Sequence, residues 1–240
     1  MLKAVIFDMD GVIIDSEPTH MKLENETYKK LGIEVTGDEH HSFVGSTSHY
    51  MWEVLKNKYK LNQTLDELIE YDRNKYFKYL NSDECEITLI DGVKELIKDF
   101  HENGIKLAIA SSSPLNVIMA IAKKFQIEEY FEVFVTGDFV QRSKPEPDIF
   151  LFASEKLGVS LENCIVIEDS HNGVRAAKKA SMKCVGINSG AAGSQDISMA
   201  DLVINSFEEV NYMKLNTSMY FDRSEVVIPY QSNKFTAPNV

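Results

Sequence analysis

Apolar residues fall into two rhythms along this chain. Short, unbroken runs rich in β-branched residues stand at 2–7, 106–110, 133–136, 164–167, 183–187 and 202–204. Such runs read as strands buried on both faces. Between 16 and about 86 the apolar positions recur at helical spacing instead, and no convincing strand appears there. Helices are expected at 19–31, ending near Gly32, and at 38–43, 46–59 and 64–80. Met21 or Lys22, with Tyr28 and Leu31, is expected to form the apolar side of the first. Thr64-Leu65-Asp66-Glu67 has the form of a capping box. Further helices are expected at 91–103, from Pro114 to Phe125, from Pro147 to Leu157, and at 170–180. Strand and helix alternate after residue 90, which predicts an α/β fold with a parallel sheet covered on both faces.

The run at 2–7 is too apolar to stand alone, so it must rejoin that sheet across the helical block. The expected division is a core of 1–15 and 87–210, a helical cap of 16–86 above the carboxyl edge of the sheet, and a tail from 211 to 240. In the tail, Glu225-Val226-Val227-Ile228 has the makings of an edge strand, while Pro229 and Pro238 argue against much regular structure.

Candidate chemistry collects where the apolar runs stop. The first ends in Asp8-Met9-Asp10-Gly11. Strand carboxyl ends face the ligand crevice in open α/β sheets. Two acids this close call for a cation, a shared proton or both. The second run ends in Ser111-Ser112-Ser113 and a later one in Glu168-Asp169, with Lys144 in a loop between them. Each piece has an ordinary role too. Asp and Gly form turns, Ser113 before Pro114 suits a helix N-cap, Lys144 suits an exposed loop, and acids favour a helix start. Their convergence on one sheet edge is what points to a Mg²⁺ and phosphate site. Mg²⁺ takes a few carboxylates and phosphate oxygens, and a helix N-terminus offers N–H groups to phosphate.

Charge and cysteines narrow the partners. The 240 residues carry a net charge of −12, with no long basic run. That argues against a nucleic-acid surface. No stretch is long enough to span a bilayer, and no signal peptide is read at the N-terminus. Cys85, Cys164 and Cys184 form no metal-ligand spacing and suit a reducing compartment, so a cytoplasmic protein, monomer or weak dimer, is expected.

Four motifs together resemble the haloacid dehalogenase superfamily: Phe7-Asp8-Met9-Asp10-Gly11-Val12, Ala110-Ser111-Ser112, Ser143-Lys144-Pro145-Glu146-Pro147-Asp148 and Ile167-Glu168-Asp169-Ser170. The resemblance covers roughly 3–205. It is nearest the group with a helical cap after the first strand, which holds β-phosphoglucomutase and sugar-phosphate phosphatases. It implies a Rossmann-like core and Mg²⁺-dependent phosphoryl transfer. Asp8 would be the nucleophile, and Asp10 the general acid and base, with a pKa above that of Asp8. Asp8, the Asp10 carbonyl and Asp169 would bind Mg²⁺, with Glu168 in support. Ser111, Ser112 and Lys144 would hold the phosphoryl group. Ser16, Glu17, His20, Gly45 and Ser46 would meet the rest of the substrate. His40, His41 and His49 are read as surface residues and Trp52 as core. No basic residue stands in Ser46-Thr47-Ser48 or Pro114-Leu115, where the mutases hold a second phosphate. The expected substrate is therefore a small phosphorylated carbohydrate to be hydrolysed, with a mutase as the alternative. The Asp-x-Asp pattern argues against a dehalogenase, and four intact motifs argue against a non-enzymatic regulator.

Overall fold

A computed structural model describes residues 1–190 and 195–217. Six parallel strands form one sheet: β1 (Ala4–Phe7), β4 (Lys106–Ser111), β5 (Val133–Thr136), β6 (Cys164–Glu168), β7 (Lys183–Ile187) and β8 (Leu202–Ile204). Their order is β5-β4-β1-β6-β7-β8. β1 is central, and Phe7 lies in register with Ile109 of β4 and Ile167 of β6. The chain builds outward on one side of β1 through β4 and β5, then crosses to build β6, β7 and β8 on the other. The carboxyl end of β1 is therefore a topological switch point, where such sheets open a crevice.

Alternate side chains of β1 feed separate cores. Val5 and Phe7 pack with residues of α5 (Val93–Glu102) and α6 (Leu115–Lys124), including Ile97, Phe100, Val117 and Ile121. Phe7 meets Phe100 and Phe131 edge-on. Ala4 and Ile6 face the opposite layer, with Phe150 of α7 (Asp148–Leu157) and Val174 and Ala177 of α8 (His171–Lys179). Cys164 and Cys184 are buried thiols, and no cysteine is paired.

Four helices lie between β1 and α5: α1 (Glu17–Leu31), α2 (Gly37–Phe43), α3 (Ser48–Tyr59) and α4 (Leu65–Leu80). They have a core of their own around fully buried Trp52, with Tyr28, Met51, Leu55 and Leu68. The Thr64–Glu67 capping box starts α4. The chain leaves and re-enters the core through an antiparallel pair, β2 (Ile14–Asp15) and β3 (Thr88–Leu89). Such two-residue strands carry no sequence signal of their own.

The apolar side of α1 differs from expectation. Tyr28 is buried and Leu31 packs partly buried against the helical core as expected, but the other buried residues are Thr19, Leu23, Glu24 and Thr27, not Met21 or Lys22. Buried polar side chains shift the stripe: Thr27 donates to the Leu23 carbonyl and Tyr28 to Glu24. Past residue 210, α9 (Tyr212–Asn216) packs on α5, with the Tyr212 amide donating to Asp99 (2.6 Å) and Leu215 buried. The edge strand expected at 225–228 lies outside the described residues. Among the described residues, no helix is long and apolar enough to cross a membrane.

Candidate active site

The three central strands bring their ends to one point. Asp8 follows β1, Ser111 closes β4 and Glu168 closes β6. Register alone sets them side by side, and the Asp8 amide donates to the Ile167 carbonyl at 3.0 Å.

Lys144 stands at the centre and is almost fully buried. Its ammonium donates to Asp8 Oδ1 at 2.6 Å and Glu168 Oε1 at 2.7 Å, and reaches the Ala110 carbonyl at 3.4 Å. All three donors are thus spoken for. The two carboxylates hold Lys144 protonated, above its usual range, against the opposing effect of burial.

Glu168 is fully buried, and its oxygens are committed. Oε2 accepts from the Asp169 and Ser170 amides, each at 2.8 Å, and from the Ser170 hydroxyl at 2.9 Å. Gly173 makes room for it: a Cβ there would fall inside the Glu168 carboxyl. Glu168 therefore positions Lys144 and the loop that carries Asp169.

Asp169 is the opposite case. It is buried, and both its carboxylate oxygens lack a hydrogen-bond partner. It lies against Gly11, whose φ of +79° and missing Cβ both matter, since a Cβ would collide with the Asp169 carboxyl. Asp8, Glu168 and Asp169 place ligand oxygens within 4.8 Å of one another. Asp8 stands at about 8: burial raises it most, Lys144 opposes, and Glu168 and Asp10 also push it up. Asp169 is raised well above the usual carboxylate range by burial and the neighbouring acids. Two orphaned oxygens among surplus negative charge fit a hard divalent cation.

Asp10 is held differently. Oδ1 accepts from Ser16 Oγ at 2.6 Å and lies 3.5 Å from His20 Nε2; Oδ2 accepts from Ser113 Oγ at 2.8 Å and Ser111 Oγ at 3.3 Å. Burial pushes Asp10 up, but His20, Ser16 and Ser113 outweigh it and hold the group at about 2. His20 is pushed down by burial and more strongly up by Asp10, to about 9, and its ring stacks on Tyr76 at 4.2 Å. Among the protein's own groups, burial thus raises Asp8 while hydrogen bonds and His20 lower Asp10.

Several other expectations shift. Ser113 does not cap α6: Pro114 occupies the N-cap and the hydroxyl goes to Asp10. Ser16 is fully buried and holds Asp10 instead of facing a substrate. His40 is not a surface residue: it is buried, with Nε2 2.7 Å from Glu17 and Nδ1 3.0 Å from Glu24. Those carboxylates overcome burial and raise it to about 10. Ser112 donates to the Gly45 carbonyl at 2.9 Å, tying the helical block to the core. Ser46 lines the cavity, with its hydroxyl turned back on the Phe43 carbonyl.

A cavity of about 120 Å³ lies between the sheet edge and the helices, reached by Asp8, Asp10 and Asp169 from below and by Glu17, His20 and Gly45 from above. Sequence reading missed Glu24, Asp72, Arg73 and Tyr76, which also line it. Burial and the Glu24 charge raise Asp72 to about 7. Arg73 donates to Asp138 at 2.7 and 3.0 Å, joining α4 to the turn after β5.

Residues 5–187 match the model of the haloacid dehalogenase-like hydrolases. The chain belongs to that family. Among proteins similar to this hydrolase is a phosphorylated carbohydrates phosphatase of Thermotoga maritima, 29% identical over 87% of this chain and 100% of the relative. Among solved structures, a β-phosphoglucomutase of Clostridium difficile superposes with a TM-score of 0.78 at 26% identity, covering 92% of this chain and 97% of that one. CbbY of Rhodobacter sphaeroides in complex with xylulose 1,5-bisphosphate gives 0.75 at 26%, covering 87% and 96%.

Proposed function

We propose that this hydrolase is a Mg²⁺-dependent phosphatase of small phosphorylated carbohydrates, working through an aspartyl phosphate on Asp8. The carrying observation is the pair of acids at the end of β1: Asp8 on Lys144 at 2.6 Å, and Asp10 held by three serines and His20 at the cavity floor. One carboxylate is placed to attack and the other to move a proton.

Asp8 attacks phosphorus as the bond to the leaving oxygen breaks. Asp10, sharing a proton with His20, protonates that oxygen. Water then attacks the acyl phosphate, with Asp10 taking its proton, and phosphate leaves. Lys144 offsets charge on Asp8 and on the group in flight. Ser111 and the Ser112 amide meet the phosphoryl oxygens. Asp8, Asp169 and the Asp10 carbonyl would hold Mg²⁺, with Glu168 positioning Asp169. Bound there, the ion would supply positive charge to stabilise the phosphoryl group in flight. The helices of 16–86 act as a cap that carries substrate contacts through Glu17, His20, Gly45 and Ser46. The relatives' names support a sugar phosphate as substrate, and free thiols suit the cytoplasm.

The test is inorganic phosphate release from a panel of hexose, pentose and polyol phosphates, in Mg²⁺ and in EDTA. Mg²⁺-dependent release, abolished in Asp8→Asn, is expected. Conversion of β-glucose 1-phosphate to glucose 6-phosphate without phosphate release would replace hydrolysis with a mutase reaction, and wild-type-like release by Asp8→Asn would remove Asp8 as the nucleophile.

A further inference from the structure

The upper half of the cavity carries an unusual balance of charge. Among the described residues lining it, the basic side chains are His20, His40 and Arg73. Each already faces a carboxylate of the protein. His20 faces Asp10, and His40 lies between Glu17 and Glu24. Arg73 gives both terminal nitrogens to Asp138, at 2.7 and 3.0 Å, and its Nε to Ser48 Oγ at 3.1 Å. Asp72 adds a further acid to the lining.

Arg73 is the informative residue. Ser48 belongs to the stretch in which sequence reading found no basic group. Arg73 restores a cation there from α4, and Asp138 of the core then occupies it. A bidentate guanidinium–carboxylate pair has the same fork geometry as a guanidinium–phosphate pair. Asp138 thus occupies the guanidinium fork that a phosphate could otherwise take. It also joins the helices to the sheet without help from the ligand.

We propose that the Arg73–Asp138 pair stands in for a second substrate anion, making the enzyme selective for monophosphates with an uncharged leaving group. This rests on the phosphatase reading above. A bisphosphate must break the pair and set its second charge among Glu17, Glu24 and Asp72. Selectivity here comes from a built-in competitor as well as from attraction. Hydroxyl groups, by contrast, are donors that those carboxylates accept.

The experiment measures kcat/KM with Mg²⁺ for glucose 6-phosphate against glucose 1,6-bisphosphate, ribulose 5-phosphate against ribulose 1,5-bisphosphate, and p-nitrophenyl phosphate. Each bisphosphate is expected to be at least about tenfold poorer than its monophosphate. Asp138→Asn frees Arg73, and should raise the bisphosphate to monophosphate ratio about tenfold. Adding Arg73→Met to Asp138→Asn should cancel that gain. Using the ratio within each variant removes any common loss of activity. Asp138 is well exposed, its side chain 43% accessible, so the replacement leaves the fold standing. A wild-type ratio near or above one, or a ratio unmoved by Asp138→Asn, overturns the proposal alone. p-Nitrophenyl phosphate hydrolysis without turnover of any sugar ester removes the substrate class and this selectivity with it. No hydrolysis of any ester overturns the phosphatase reading as well.

Discussion

The acidic cluster under the cavity should make the metal-free protein lose stability as pH rises. Asp8, Glu168 and Asp169 are all buried, and Lys144 is the single cation bonded within the group. Burial raises Asp8 from 3.8 to about 8 and lifts Asp169 in the same direction. The folded state therefore holds protons that the unfolded chain releases. By linkage, stability is greatest below the unfolded carboxyl value and falls as pH rises toward 8. One such proton is worth about 1.4 kcal/mol per pH unit. For Asp8 alone that is a loss of about 4 kcal/mol between pH 4 and pH 7 as an upper figure, and Asp169 adds to it. This is a large part of the roughly 5–15 kcal/mol that holds a domain folded.

Other groups act in the same window, so the metal is what isolates the cluster. Asp72, raised to about 7, contributes with the same sign, as do His20 at about 9 and His40 at about 10 above neutrality. Asp10, held at about 2, acts only in acid, where its contribution is lost as pH falls below 3.8. A divalent cation held as proposed at Asp8 and Asp169 would compete with their protons and leave the others alone. Urea titrations from pH 5 to pH 8, in EDTA and in saturating Mg²⁺, should give a stability difference that widens with pH. Calorimetry at pH 6 should show protons released on Mg²⁺ binding, as a dependence of the heat on buffer. A difference that stays flat from pH 5 to 8, with no buffer dependence, would refute the reasoning.

Lys144→Met leaves the three acids without a counter-charge; it should cost about 3–5 kcal/mol at pH 8, less at pH 5, and abolish turnover. Equal losses at the two pH values, by chemical denaturation, would contradict it. Gly173→Ala should displace Glu168 and, through it, Lys144. A loss of about 2–3 kcal/mol with a fall in kcat is expected, and a neutral result in both would show that the helix start is not tight. Ser113→Ala removes the donor at 2.8 Å from Asp10 and should lower kcat roughly tenfold with stability little changed; an unaltered kcat would return Ser113 to a purely structural role.

The strands were legible because parallel pairing buries both faces. Val133 to Thr136, Cys164 to Ile167 and Lys183 to Ile187 are continuous apolar or near-apolar runs that few other structures accommodate. The hinge ribbon was not legible, since Ile14–Asp15 and Thr88–Leu89 are too short for any period to show. The stripe on α1 was misread for a related reason. Its buried positions include Thr19, Glu24 and Thr27, polar residues whose partners lie elsewhere in the fold or one turn away. A pattern of apolar residues cannot mark a face that is buried by hydrogen bonds.

The same distinction separates the two halves of the site. Asp8, Asp10, Ser111, Glu168 and Asp169 could be read because each stands at or just past the end of a strand, and parallel register sends those points to one edge; Lys144, in the loop before α7, is marked by the Ser-Lys-Pro-Glu-Pro stretch around it. Nothing comparable locates Glu24, His40, Asp72 or Arg73. They sit mid-helix or at a helix end, where charged residues ordinarily meet solvent, and only the packing of α1, α2 and α4 over the sheet turns them inward. His40 shows the consequence. Alone it is a surface histidine; with Glu17 and Glu24 on either side it becomes a buried imidazolium. The chemistry is fixed by the sheet, whose register the sequence carries locally. The proposed selectivity rests instead on contacts between segments far apart in the chain, such as Arg73 of α4 with Asp138 of the turn after β5. That is why a reaction class was legible from the strand ends, while the leaving group had to be argued from the assembled cavity.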